Sequence, residues 1–305
     1  MPTGRNSIRL FKCFGIDVFL HWSWFLVAVY EVQLRKGIYS SIAWNVFEYL
    51  TLFLIVLLHE FGHALACRSV GGQAHQIVLW PFGGVAYVSP PPRPGATLWT
   101  IAAGPLVNVA LIPIFSALWW ISSWANWSED LNQFIFAVWF INLGLLIFNM
   151  MPVYPLDGGK ILHALLWFRL GRARSLMIAC VFGFLGAAGL GVVAILLPMN
   201  TGTRVWLGFI CFLNFRYCFQ SFDHAREMLR QSHAPPRDGY LCPNCQVAPP
   251  AGEYWRCGRC RKSFDPFSTQ LTCPHCGAQH THIPCLGCGN PAAPDGWVPG
   301  ELAKV

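Results

Sequence analysis

His59-Glu60-Phe61-Gly62-His63 sets two imidazoles four residues apart. On a helix that spacing puts both on one face, where they can hold one Zn²⁺, and the carboxylate after the first histidine reaches a water as general base. A catalytic zinc needs a third protein ligand and an open fourth position. Asn149-Met150-Met151-Pro152-Val153-Tyr154-Pro155-Leu156-Asp157-Gly158-Gly159 supplies one. Pro152 and Pro155 interrupt a helix ahead of Asp157, and Gly158-Gly159 lets backbones approach closely. Taken alone, Asp157 reads as the N-cap of a helix starting near Lys160. Beside an H-E-x-x-H at the same membrane depth the ligand reading is stronger, and two carboxylate oxygens allow both roles. Gly104-Pro105-Leu106-Val107-Asn108 adds an amide. It either donates to a substrate carbonyl or developing oxyanion, or makes an interhelical hydrogen bond, and the residues leave both open.

A second set of ligands lies far along the chain. Cys242, Cys245, Cys257 and Cys260 form two C-x-x-C turns, and Cys273, Cys276, Cys285 and Cys288 form two more. Each turn offers two thiolates, and four complete a tetrahedral zinc site. Taken in order along the chain they make two zinc ribbons, 240–262 and 271–290, although interleaved pairing is open. In a cytoplasmic setting the thiols stay reduced and metal is favoured over disulfides. The expected complement is three zinc ions, one catalytic and two structural.

These groups must be positioned by a chain of 305 residues in which charged residues are only 11% and hydrophobic residues 54%. Soluble domains carry roughly 25% charge, so an ordinary soluble enzyme and a disordered chain are both excluded. Six stretches are apolar enough to cross a bilayer as helices of ~20 residues: Ile16–Leu34, Trp44–Cys67, Thr97–Ile121, Gln133–Met150, Ser175–Pro198 and Thr203–Phe219. With the N-terminus cytoplasmic, inner segments hold twelve basic residues, Arg5, Arg9, Lys12, Arg68, Arg93, Lys160, Arg169, Arg172, Arg174, Arg216, Arg226 and Arg230. Outer loops hold three, Arg35, Lys36 and Arg204. Both termini are therefore expected inside, and His59, His63 and Asp157 reach one depth at the inner face. The net charge of +7 is then largely a topology signal, and nucleic acid is disfavoured as a partner. An ionisable cluster inside an apolar helix is expensive and functional by default. Between the second and third spans, Gln76–Trp80 and Gly84–Ser89 read as short strands joined at Pro81-Phe82-Gly83. After the sixth span an amphipathic helix and linker (221–239) lead to the cysteine-rich part, and 291–305 reads as a loose tail.

Residues 59–63, 104–108 and 149–159 resemble the three motifs of the site-2 protease family, the zinc intramembrane metalloproteases of the M50 type. His21-Trp22-Ser23-Trp24 and Gly83-Gly84 resemble further family features, and the similarity covers residues 10–220. It implies an α-helical polytopic membrane fold with a small membrane-associated β segment, here carrying C-terminal four-cysteine zinc ribbons. It implies His59, His63 and Asp157 as zinc ligands, Glu60 as catalytic acid/base, and Asn108 and Asn149 as residues that line the site and help place the scissile strand. The implied substrate is a single-pass transmembrane protein cut near the cytoplasmic side, and a bacterial inner membrane is the implied location. The ribbons are expected to contact a protein, recruiting substrate or regulating cleavage. A non-proteolytic metal-binding receptor or scaffold and a metal transporter are the competing classes. Glu60 beside the metal argues against the first, and ligands gathered at one depth argue against the second. The oligomeric state is left open.

Overall fold

The computed structural model describes residues 7–80, 83–198 and 200–297. The chain divides into two compact units, Met1–Phe222 and Asp223–Val305. The first opens with strands β1 (Ser7–Cys13) and β2 (Ile16–His21), followed by helices α1 (Ser23–Leu34) and α2 (Ile42–Ser69). Strands β3 (Gln73–Trp80) and β4 (Gly83–Ser89) come next. Helices α3 (Pro94–Trp124), α4 (Glu129–Met150), α5 (Asp157–Leu170), α6 (Arg172–Leu196) and α7 (Thr201–His233) complete the series.

The expected first span is not a single helix. Ile16, Val18 and Leu20 are buried while Asp17, Phe19 and His21 between them are half-buried, the period-two pattern of a strand. A continuous apolar run cannot be told from a helix by hydropathy alone. Only α1 remains helical, and its 12 residues extend about 18 Å, short of the ~30 Å hydrocarbon layer. Among the described residues four helices, α2, α3, α4 and α6, are long and apolar enough to cross a membrane. The expected sixth span forms the first half of α7, where Arg204, Asn214 and Arg216 dilute the apolar run. The same helix runs on without a break through the expected amphipathic stretch.

The four strands form one sheet in the order β1-β2-β3-β4, antiparallel except for the parallel pair β2–β3. The parallel pairing is possible because the chain leaves β2 through α1, returns along α2 and re-enters the sheet as β3. One face of this sheet packs on the C-terminal half of α2, with Ile16, Val18, Ile77 and Leu79 against Val56, Ala64 and Cys67. Arg68 pins the arrangement. Its Nε donates to Ala74 O (2.8 Å), and its Nη2 to Gly15 O (3.1 Å) and again to Ala74 O. At the other end of α2, Ser40 N donates to Asp130 Oδ1 (3.0 Å), tying the α1–α2 loop to the start of α4.

In the second unit the four C-x-x-C turns share one backbone pattern. The first cysteine N–H donates to the carbonyl five residues on, and the residue after the second cysteine donates back to the first cysteine's carbonyl. The pairs are Cys242–Val247, Cys257–Lys262, Cys273–Ala278 and Cys285–Asn290. Gln246, Arg261, Gly277 and Gly289 follow the turns, all at positive φ. Strands β5 (Trp255–Arg256) and β6 (Ser263–Phe264) flank the second turn, and β7 (Ile283–Pro284) and β8 (Pro291–Ala292) the fourth. The expected loose tail begins later than 291. Trp297 is fully buried in the core with Trp255, Phe264 and Ile283, and its carbonyl accepts from Leu241 N (2.7 Å). An indole of that size supplies apolar surface that a fold this small otherwise lacks. Residues 298–305, and Pro81-Phe82 in the expected turn, lie outside the described residues.

Candidate metal centres

α2 carries His59, Glu60 and His63 as buried side chains in its C-terminal half. His59 Nε2 and His63 Nε2 are 3.1 Å apart. Asp157 Oδ2 lies 3.0 Å from the first and 3.2 Å from the second. Asp157 is the first residue of α5, and Leu156 occupies the cap position. The N-cap reading is therefore replaced: the carboxylate turns to the histidines, with Lys160 Nζ 3.7 Å from its other oxygen.

The loop ahead of Asp157 is held from two sides. Tyr154 O accepts from Asn214 Nδ2 (3.3 Å) and Cys218 Sγ (3.1 Å) of α7. A β-carbon at Gly158 would stand 2.4 Å from Met150 O, and one at Gly159 2.4 Å from Tyr154 N. The two glycines are what let α5 start directly against the end of α4.

Each imidazole is oriented through Nδ1. His63 Nδ1 donates to Thr100 O (2.9 Å), and His59 Nδ1 to Asn108 Oδ1 (2.6 Å). Both Nε2 atoms thus face Asp157 with lone pairs available. Gly104 on α3 completes the cradle. A β-carbon there would lie 2.3 Å from His63 Nε2 and 2.8 Å from His59 Nε2. Two neutral imidazoles and a carboxylate are a zinc donor set, and ligands 2.0–2.1 Å from one tetrahedral ion stand about 3.3 Å apart. The residues fit a zinc ion.

Glu60 points to the sheet. Its Oε2 accepts from Ala86 N (2.7 Å), and a β-carbon at Gly84 would stand 2.2 Å from its Cγ. Glu60 therefore needs glycine opposite it on β4.

The structure divides the two asparagines. Asn108 is fully buried, with its amide used up between His59 and Asn142, whose Oδ1 accepts from Asn108 Nδ2 (2.8 Å). The interhelical alternative is the one present. Asn149, second from the end of α4, is half-buried, and its side chain makes no hydrogen bond among the described residues. Sequence reasoning passed over Asn142, Ala86 and Thr100, and marked Gly84 only through the resemblance of Gly83-Gly84 to a family feature, without its contact to Glu60. For Asn142 a signal existed, an amide in the middle of an apolar span. The other contacts use backbone groups or a missing side chain.

The cysteines gather differently from the expected order. Cys242, Cys245, Cys285 and Cys288 form one cluster, and Cys257, Cys260, Cys273 and Cys276 the other. The first and last turns thus enclose the middle pair, correcting the sequential ribbons 240–262 and 271–290. The reason is local. Each turn is closed by its own few residues, so neighbouring turns sit on separate hairpins, and only tertiary packing decides which face each other. Sulfur separations are 3.7 Å for Cys242–Cys288 and Cys245–Cys285, 3.6 Å for Cys257–Cys276 and 3.7 Å for Cys260–Cys273. Four thiolates 2.3 Å from one zinc stand about 3.8 Å apart, so both clusters fit zinc. The backbone N–H of Cys260, helped by that of Arg259, pulls Cys257 down to about 5.

The model for peptidase family M50 matches residues 47–129 and 121–190. A protein of Synechocystis sp. whose name places it among zinc metalloproteases is 30% identical over 263 residues, covering 80% of this chain and 67% of the relative. The chain belongs to peptidase family M50. A zinc metalloprotease of Methanocaldococcus jannaschii, another relative of this M50 chain, is 35% identical over 179 residues. That match covers 58% of this chain and 50% of the relative, so the chain spans half the length of that protein. Among solved structures, the site-2 protease from the same archaeon aligns with a TM-score of 0.50 at 28% identity, covering 71% of this chain and 95% of the other. With four membrane-length apolar helices among its described residues, this M50 chain is an integral membrane protein.

Proposed function

We propose that this chain is a zinc-dependent endopeptidase that cuts a transmembrane segment of another membrane protein near the cytoplasmic face of the bilayer. The observation that carries the reading is the convergence of His59 Nε2, His63 Nε2 and Asp157 Oδ2 beside Glu60, at one end of an apolar helix. His59, His63 and Asp157 would hold the ion, which supplies Lewis acidity towards the scissile carbonyl and brings water to a reactive pKa. Glu60 takes the proton from the attacking water and hands it to the departing amine nitrogen. Ala86 N–H holds one Glu60 oxygen and leaves the other for proton transfer.

A substrate helix hides its carbonyls in its own hydrogen bonds and must unwind before attack. β4 is an edge strand, and its outward side meets Glu60. A substrate segment drawn out along that edge is extended and within reach of the base. Asn149, with its amide unengaged at the end of α4, is suited to hold it. The inside excess of basic residues supports cytoplasmic termini, and a bacterial inner membrane is the matching location. The two four-cysteine clusters would each take a structural zinc, and the second unit would recognise a protein, substrate or regulator.

The test uses the full chain and a single-pass model substrate reconstituted in liposomes. Cleavage inside the transmembrane segment is expected, lost on zinc removal and in Glu60→Gln, which keeps its zinc. Cleavage at the wild-type rate by Glu60→Gln overturns the mechanism, and none by the wild type across a panel of unwinding-prone substrates favours the scaffold reading.

A further inference from the structure

The two histidines are oriented by unlike means. His63 Nδ1 donates to a backbone carbonyl, Thr100 O, a group that only accepts. His59 Nδ1 faces a side-chain amide, Asn108, which offers an oxygen or a nitrogen depending on which way it is turned. Turned the wrong way, the amide would present N–H groups to Nδ1, and the proton would move to Nε2, where it blocks a metal. Something must set the direction.

Asn142 on α4 is placed to do so. It is fully buried, like Asn108. Its Nδ2 donates to the backbone carbonyl of Asn108 (3.0 Å), and its Oδ1 accepts from Asn108 Nδ2 (2.8 Å). The chain of consequences starts from a group without ambiguity. Asn108 O accepts only, so Asn142 must turn its nitrogen there and its oxygen to Asn108. Asn108 must then turn its nitrogen to Asn142 and its oxygen to His59. His59 must carry its proton on Nδ1, leaving Nε2 bare. Both amides lie between membrane helices, where an unpaired polar group is expensive, so the alternative direction is penalised at each link.

We infer that Asn142 is a positioning residue for the membrane metal site: it fixes the direction of the Asn108 amide and, through it, the tautomer of His59. The inference rests on the zinc reading of this site and concerns metal affinity rather than cleavage. Groups that orient metal ligands from outside typically change affinity by about 10- to 100-fold when lost.

The experiment measures zinc affinity of the purified full-length chain by chelator competition, and the spectrum of the cobalt-loaded protein. The four-cysteine clusters serve as an internal standard, because their thiolate bands are separate from those of a site with two imidazoles and a carboxylate. Asn142→Leu is expected to weaken the membrane site by about 10- to 100-fold and alter its cobalt bands, with the thiolate sites unchanged. Asn108→Asp gives His59 a group that accepts in either direction, so the double variant Asn108→Asp/Asn142→Leu is expected to match Asn108→Asp alone. Should Asn142→Leu fail to accumulate, that second comparison carries the test. Affinity unchanged in Asn142→Leu overturns the inference, and so does a tenfold drop from Asn108→Asp to the double variant, which is what a mere packing role would produce. A wild-type membrane site that takes no zinc at all overturns the zinc reading and this inference with it.

Discussion

In the first unit, His59 and His63 stand on a helix of 28 residues that packs on the sheet through apolar side chains such as Val56, Leu57 and Ala64. In the second, Cys242, Cys257, Cys273 and Cys285 are half of the buried core, alongside Trp255, Phe264, Ile283 and Trp297, and the other four cysteines pack against it. The first unit builds a site on a finished scaffold and spends polar groups on aiming it. Thr100 O, Asn108 and Gly104 all serve the direction and clearance of two imidazoles. The second has no scaffold to spare, and its strands are two residues long. Zinc there would contribute folding free energy, about 10–16 kcal/mol per structural site. A metal held by an existing fold can keep an open position and do chemistry, whereas a metal that makes the fold is enclosed by four ligands.

The largest effect that tests this contrast is loss of a structural ligand. Cys257→Ser is expected to unfold much of the second unit, because zinc binding of about 10–16 kcal/mol exceeds what its small core supplies. Limited proteolysis should then cut within residues 237–297 while α2, α3 and α4 stay protected. Protection equal to wild type would mean that the core stands without metal. The next effect is chemical. Glu60→Gln should slow cleavage by about 10²–10⁴ without changing zinc content, since Glu60 is hydrogen-bonded to Ala86 N and is not one of the three ligand side chains. Trp297→Ala should destabilise the second unit by about 3–5 kcal/mol, read as faster amide exchange at Leu241, whose N–H donates to Trp297 O. Exchange as slow as wild type would return this segment to the tail. The smallest effect is Gly104→Ala, where the added carbon meets His63 Nε2 at 2.3 Å. Overpacking of about 1–3 kcal/mol should appear as weaker zinc at the membrane site with the four-cysteine sites full. Equal loss at both kinds of site would show that the two units are not energetically separate.

Much of this was legible in residue order. The i,i+4 histidines needed only a helix to meet, and a 24-residue apolar stretch from Trp44 to Cys67 could hardly be anything else. β3 and β4 announced themselves as short apolar runs set off by glycine and proline. β2 did not, because Ile16–Leu34 is apolar enough to read as one span in spite of Asp17, His21 and Glu31, and its strand half shows only in burial. The extra span counted there was the consequence. Asn142 was visible as an amide in an apolar run but carried no mark of its partner.

The sequence by itself therefore determined the metal-ligand residue types, the apolar helix that pairs His59 with His63, and the four C-x-x-C turns. Those depend on local spacing and on the insolubility of charge in hydrocarbon. Tertiary structure decided which cysteine turns face each other, which asparagine aims a histidine and which is free, and that Ala86 and Gly84 border Glu60. Those pairings join residues 13 to 49 positions apart, several of them through backbone carbonyls, amides and an absent β-carbon. Such groups look alike in any sequence and acquire a role only when packing brings them together.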